Sequence, residues 1–116
     1  MSGLAWADVV ALAAALPGVE EQSSYGTPAL KVNGKLLGRL KEDGETLALR
    51  VGFEERQALV HERPDVYLVT PHYENYPMVL VRLAAADPDE VRELLVEAWL
   101  ERAPKRVVAT WQAEQA

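Results

Sequence analysis

Residues 27–51, TPALKVNGKLLGRLKEDGETLALRV, decide the fold. Three runs with alternating apolar and polar residues, at 27–32, 35–41 and 46–51, are separated by Asn33-Gly34 and by a loop that contains Asp43-Gly44. Asn-Gly and Asp-Gly supply the positive φ angles that tight hairpins require. The segment therefore predicts an antiparallel meander of three strands.

Helical patterns flank this meander. From Trp6 to Leu16, apolar residues recur three and four positions apart, and Pro17-Gly18 ends the pattern. After the meander, residues 53–62 predict a short helix that ends before Pro64. One helix is therefore expected on each side of the three strands.

The rest of the chain predicts two more strands and two more helices. Asp can cap a helix and Pro is tolerated in its first turn, so Asp87-Pro88 begins the longer helix. A strand, an aromatic loop, a second strand and two helices are predicted at 66–70, 71–77, 78–83, 87–103 and 104–111. The order predicts an α+β fold, with a mostly antiparallel five-stranded sheet and helices packed on one face.

Composition predicts one globular domain, residues 1–116, of 49% hydrophobic and 26% charged residues. The chain has no cysteine, which excludes disulfides, thiolate nucleophiles and zinc sites built on sulfur. Its apolar start is shorter than the roughly 20 residues that a membrane span needs. We expect a cytoplasmic monomer without a membrane segment.

Charge is distributed unevenly along the chain. The net charge is −6, yet residues 27–51 hold five cations against three acids. Strand alternation predicts two faces for this segment. Core positions are Leu30, Val32, Leu36, Leu40, Leu47, Leu49 and Val51, and the opposite face receives Lys31, Lys35, Arg39, Lys41 and Arg50. These cations could track phosphates, or they could simply keep an exposed sheet soluble and discourage edge pairing.

The aromatic loop offers a second candidate site. A groove edged by Tyr25, His72, Tyr73 and Tyr76 could bind a ligand or a partner protein, and the same rings could equally hold the hairpin together.

Catalytic and metal-binding patterns are not evident in the sequence. It lacks a G-x-S-x-G elbow and a phosphate-loop spacing, so we predict no catalytic residue and no enzyme. Four acids of the longer helix form one stripe, which we interpret as a solvated face rather than a metal site: Glu90, Glu93, Glu97 and Glu101. No metal and no cofactor are predicted.

Several short motifs resemble the MmcQ/YjbR family. Residues 16–21, LPGVEE, and 24–32, SYGTPALKV, resemble its opening signature. The later motifs TPHY, YP, VLVRL and APKR, at 70–73, 76–77, 79–83 and 103–106, resemble its second and C-terminal blocks. The resemblance extends from the first helix to about Ala109, in the same order and without a large insertion.

The resemblance implies a frataxin-like (CyaY-like) arrangement and a role in DNA binding through a double-wing motif. The five sheet cations and the pair Lys105 and Arg106 are then the candidate DNA contacts. The alternative is a frataxin-like module that binds an unidentified protein or small ligand and has no DNA activity.

Overall fold

The computed structural model describes residues 3–24 and 26–116. These residues form four α-helices and an antiparallel sheet of six strands in the order β1-β2-β3-β4-β6-β5. The helices are α1 (Trp6–Ala13), α2 (Phe53–Glu62), α3 (Pro88–Arg102) and α4 (Lys105–Gln115). The strands are β1 (Val19–Ser24), β2 (Thr27–Val32), β3 (Lys35–Leu40), β4 (Thr46–Arg50), β5 (Tyr67–Leu68) and β6 (Met78–Arg82). The α+β class is confirmed.

The prediction of five strands is wrong, because β1 was not expected. This edge strand has the sequence VEEQSS, and the four residues in its middle are exposed. Glu, Gln and Ser have little intrinsic preference for strands, so the segment carries no alternating apolar signal. β1 pairs with β2 along its whole length, and the Trp6 indole N–H donates a hydrogen bond to Glu21 Oε2 at 2.7 Å.

The meander forms as predicted. Asn33 and Gly34 have φ angles of 53° and 75° in the turn between β2 and β3, and Gly44 has 72° in the next loop. Only these positive values allow such tight connections between right-twisted strands. α2 also has the predicted bounds, Phe53–Glu62.

A β-bulge interrupts the pairing of β2 with β3. Leu30 lies opposite Gly38, whereas Lys31 lies opposite Leu36, so Leu37 is the extra residue of β3. Residues paired across antiparallel strands share a face, so the bulge reverses the alternation along β3. The prediction that Leu36 faces the core is therefore wrong: Leu37 is buried there instead, and Leu36 lies on the opposite face beside Lys31.

The core lies between the sheet and the helices. Leu47 and Leu49 of β4 are buried in it together with Leu95 and Trp99 of α3. The Trp99 indole N–H donates to the Pro17 carbonyl oxygen at 2.9 Å, which satisfies the one polar group of this large buried ring. We call the sheet face that the helices cover the inner face.

The outer face of the sheet is defined by the residues that alternate with the inner ones: Lys31, Leu36, Arg39, Ala48, Arg50, Met78 and Leu80. Ala48 and Leu80 form a second, smaller cluster with the buried Tyr73. Tyr73 ends a short 3₁₀ turn, Pro71–Tyr73, within the aromatic loop. The loop thus folds back over the middle of the outer face. No helix among the described residues is long and apolar enough to cross a membrane.

Candidate functional site

A pocket of about 540 Å³ lies on the outer face, where the aromatic loop meets β3, β4 and β6. We call it the outer-face pocket. Its described lining residues are Leu36, Arg39, Glu42, Arg50, His72, Tyr73, Tyr76, Pro77, Met78 and Arg102. The pocket therefore brings together members of both predicted sites, two of the sheet cations and three residues of the aromatic loop. Its lining includes three arginines and one carboxylate, in a chain of net charge −6.

Arg39 is a buried cation in this pocket. Arg39 is only 7% exposed, and its Nη1 donates a hydrogen bond to Thr27 Oγ1 at 2.7 Å. Its Nη2 lies 3.5 Å from Glu42 Oε2. These partners fix the guanidinium within the sheet, so Arg39 cannot act as a solvated contact along an extended phosphate backbone.

Arg50 and Arg102 form the second cationic part of the lining. Arg50 Nη2 lies 3.4 Å from Glu101 Oε2, and Nη1 donates to the Pro77 carbonyl oxygen at 3.4 Å. The Nε atoms of Arg50 and Arg102 are both buried and have no hydrogen-bond partner in the part of the chain that the structure describes. Burial lowers the pKa of Arg102, and the positive charge of Arg50 lowers it further. The two guanidinium groups are thus under-satisfied and repel each other.

The aromatic loop supplies rings of two kinds. Tyr73 is buried, and its hydroxyl accepts a hydrogen bond from Lys41 Nζ at 3.1 Å, so this ring does hold the loop to the sheet. Tyr76 is 57% exposed, and its ring lies 6.2 Å from the His72 ring at an angle of 34°. One ring is therefore structural, and a second lies open to solvent at the pocket.

Arg56 of α2 determines the conformation of this loop, a role that sequence reasoning missed. Its guanidinium donates to four backbone carbonyl oxygens, those of Tyr73, Glu74, Tyr76 and Met78, at 3.0, 2.9, 2.8 and 3.2 Å. The fixed fork of an arginine suits such a cluster of acceptors. In the sequence, Arg56 is one charged residue of a charged helix, which carries no signal for this contact.

The other predicted DNA contacts do not line the pocket. Lys41 is engaged by Tyr73 and lies 3.7 Å from Glu42. Lys35 pairs with the inner-face residue Val32. The prediction that Lys35 shares a face with Arg39 is therefore wrong, because the bulge at Leu37 lies between them and reverses the alternation. Four of the predicted cations lie elsewhere on the chain: Lys31 at the outer face of β2, Lys35 at the start of β3, and Lys105 and Arg106 at the start of α4. Tyr25 lies outside the described residues.

Three of the four acids in the stripe on α3 contact other elements. Glu90 accepts hydrogen bonds from the Tyr67 hydroxyl and from Arg63 at 2.8 and 3.0 Å. Partial burial raises the pKa of Glu55 on α2 to about 7, with further contributions from a hydrogen bond to Glu97 and from the charges of Glu97 and Glu101. The carboxyl group of Glu55 on α2 therefore lies next to that of Glu97 on α3. The interpretation of the stripe as a purely solvated face was incomplete.

Comparison with known proteins identifies the family. The family model described as YjbR matches residues 14–101. Uncharacterized proteins of Mycobacterium bovis and Mycobacterium tuberculosis are each 34% identical to this chain, in alignments that cover 93% of this chain and 95% of each relative. The crystal structure of Deinococcus radiodurans protein DR2400, of family-model domain DUF419, has the same fold, with a TM-score of 0.71 at 21% identity, over 84% of this chain and 77% of that one. The chain belongs to the YjbR family.

Proposed function

We propose that this protein binds a small anionic ligand in the outer-face pocket, and that it does so as a binding module rather than as an enzyme. The observation that carries the proposal is the meeting of Arg39, Arg50 and Arg102 in one cavity, with Glu42 as the carboxylate of the described lining. A ligand anion beside Arg50 and Arg102 would offset the repulsion between their positive charges.

The size of the pocket supports the same proposal. Its volume of about 540 Å³ falls within the range of roughly 300–1,000 Å³ that is common for small-molecule sites. The lining combines apolar and aromatic surface from Leu36, Met78 and the loop with a few fixed charged groups. Such a mixture gives a ligand both burial and orientation.

DNA binding, which the family resemblance implies, is the second candidate. The observation in its favour is the presence of His72 and Tyr76 beside arginines, because single strands are held by aromatic stacking next to cations. Against an extended duplex site stands the internal pairing of Arg39, Lys41 and Arg50. The frataxin-like arrangement that accompanied this implication stays a prediction.

Thermal unfolding with inorganic pyrophosphate tests the anion site. The ligand should raise the Tm of the wild-type protein, because a ligand that binds only the folded state at about 100 times its Kd stabilises it by about 2.7 kcal/mol. The double variant Arg50→Gln with Arg102→Gln should lose this shift. Arg92→Gln is the matched control, since Arg92 is exposed on α3 and pairs with Asp89 at 3.8 Å away from the pocket. A shift of equal size in the double variant and in the control would refute the site.

Fluorescence anisotropy with labelled single-stranded and duplex DNA, at about 50 and 200 mM salt, separates the two candidates. Five phosphate contacts along a duplex would weaken binding about 500-fold over this interval, whereas one or two contacts to a single strand would weaken it by less than about tenfold. We do not expect duplex binding whose affinity falls steeply with salt. A steep loss of duplex affinity would favour an extended cationic face over the pocket.

A further inference from the structure

We infer that the ligand is a phosphate monoester joined to a flat aromatic ring, the chemistry of a nucleoside monophosphate. The inference rests on the proposed anion binding and specifies the class of ligand at that same pocket. It follows from the charge of the lining, from the two mutually repelling guanidinium groups, from the exposed tyrosine ring and from the short extent of the cationic region.

The charge of the lining matches a dianion. Arg39, Arg50 and Arg102 against Glu42 leave a formal balance of +2 among the arginines and carboxylates of the described lining. A phosphate monoester carries about −1.5 to −2 at pH 7, whereas a carboxylate carries −1 and a triphosphate considerably more. Of these three groups, the phosphate monoester leaves the least unbalanced charge in the pocket.

Arg50 and Arg102 both line the pocket, and their positive charges repel each other. Arginine binds phosphate through parallel N–H donors, and several oxygens on one phosphorus can serve two guanidinium groups at once. An anion that contacts both guanidinium groups would reduce their mutual repulsion.

Tyr76 provides a surface for a flat ring. Its side chain is 57% exposed, yet the backbone beneath it is fixed because its carbonyl oxygen accepts from Arg56 at 2.8 Å. A tyrosine has only two side-chain torsions to immobilise, so stacking on it costs little entropy. The neighbouring His72 ring, 6.2 Å away, forms the adjoining edge of the same aromatic surface.

The cationic region is too short for a polymer. Glu42 lies within ion-pair distance of Arg39 and Lys41, and Glu101 lies within ion-pair distance of Arg50. These two carboxylates would repel the next phosphates of a strand that continued from the pocket. One phosphate fits between them better than a chain of phosphates does.

Calorimetric titration with AMP, ribose 5-phosphate and adenosine tests this inference. Stacking of the base on an aromatic ring should make AMP bind at least about tenfold tighter than ribose 5-phosphate. Tyr76→Ala should remove that advantage and leave ribose 5-phosphate unaffected, whereas Tyr76→Phe should retain it. Arg102→Gln should weaken both phosphates, and Arg92→Gln should weaken neither.

The outcomes that contradict the inference are distinct from failure of the anion site itself. Equal affinities for AMP and ribose 5-phosphate would overturn the aromatic part while leaving an anion site in place. An affinity for oligothymidylate that rises steadily with length would overturn the choice of a mononucleotide. Absence of binding by pyrophosphate and by every phosphate compound would refute the proposed function as well.

Discussion

Glu55 offers a test of the contact between α2 and α3 that does not depend on any ligand. Burial and the neighbouring Glu97 and Glu101 raise the pKa of its carboxyl group from 4.5 to about 7 in the folded protein. Between these values the folded state keeps a proton that the unfolded state releases. The free energy of unfolding therefore falls as the pH rises from about 4.5 to about 7, and it stays lowered above that range. Glu55→Gln replaces the ionisable group with a neutral one of the same shape.

The expected size of the effect comes from the shift in pKa. The shift from 4.5 to about 7 corresponds to about 3.4 kcal/mol at about 1.36 kcal/mol per unit. Glu55 is partly exposed, and solvent screening reduces this to about 1–2 kcal/mol. The amide that the substitution introduces also donates a hydrogen bond that a carboxylate cannot, which suits the acceptor Glu97. We expect Glu55→Gln to stabilise the protein by about 1–2 kcal/mol at about pH 8 and by much less at about pH 5.

Urea unfolding at both pH values measures this difference directly, because the midpoint and the slope give the free energy of unfolding in water. Glu54→Gln is the matched control, since Glu54 is an exposed acid next to Glu55 in the first turn of α2. Glu97→Gln should give a similar gain, and the double variant should gain less than the sum, because either substitution alone removes the repulsion between the two carboxyl groups. A gain for Glu55→Gln that is the same at both pH values, or that Glu54→Gln reproduces, would refute the reasoning.

Two further substitutions test how the aromatic loop is held. Arg56→Ala removes the donor of four carbonyl oxygens and should lower the free energy of unfolding by about 2–4 kcal/mol in urea, with little rescue by Lys, which lacks the planar fork. Tyr73→Phe removes the hydroxyl that accepts from Lys41 and should cost about 1 kcal/mol in the same assay; a loss of several kcal/mol would mean that the ring itself has moved.

Local sequence signals predicted most of the secondary structure. The hairpin residue pairs located the meander, and the bounds of α2 were predicted correctly. β1 could not be predicted because it is a polar edge strand, whose stability comes from pairing with β2 rather than from its own composition. The bulge at Leu37 could not be predicted because alternation is read along one strand, whereas a bulge is defined by the register against the neighbouring strand.

The pocket depends on contacts between distant residues. The sheet cations and the aromatic loop were both recognised in the sequence, but as two separate sites. Tyr73 and Lys41 are 32 positions apart in the chain, and their contact helps to hold the loop over the cations. Arg102 was missed altogether, because a single arginine near the end of a helix gives no sign that it lines a pocket. Sequence spacing identified the chemical groups, and only packing brought them together.

The burial of Arg39 also changes how a DNA role has to be tested. Reversing the charge of Lys35, Arg39 and Lys41 follows naturally from strand alternation, yet Arg39 is 7% exposed and already lies 3.5 Å from Glu42. Arg39→Glu would place a carboxylate at a buried position beside the carboxylate of Glu42, at a cost of several kcal/mol, because a charge buried without its partner is strongly destabilising. If such a variant lost DNA retention, the cause would be unfolding rather than the loss of a DNA contact. Exposed cations outside the pocket, Lys35, Lys105 and Arg106, separate the two explanations. Their reversal leaves the sheet intact, so an effect on DNA retention there would be an effect on binding.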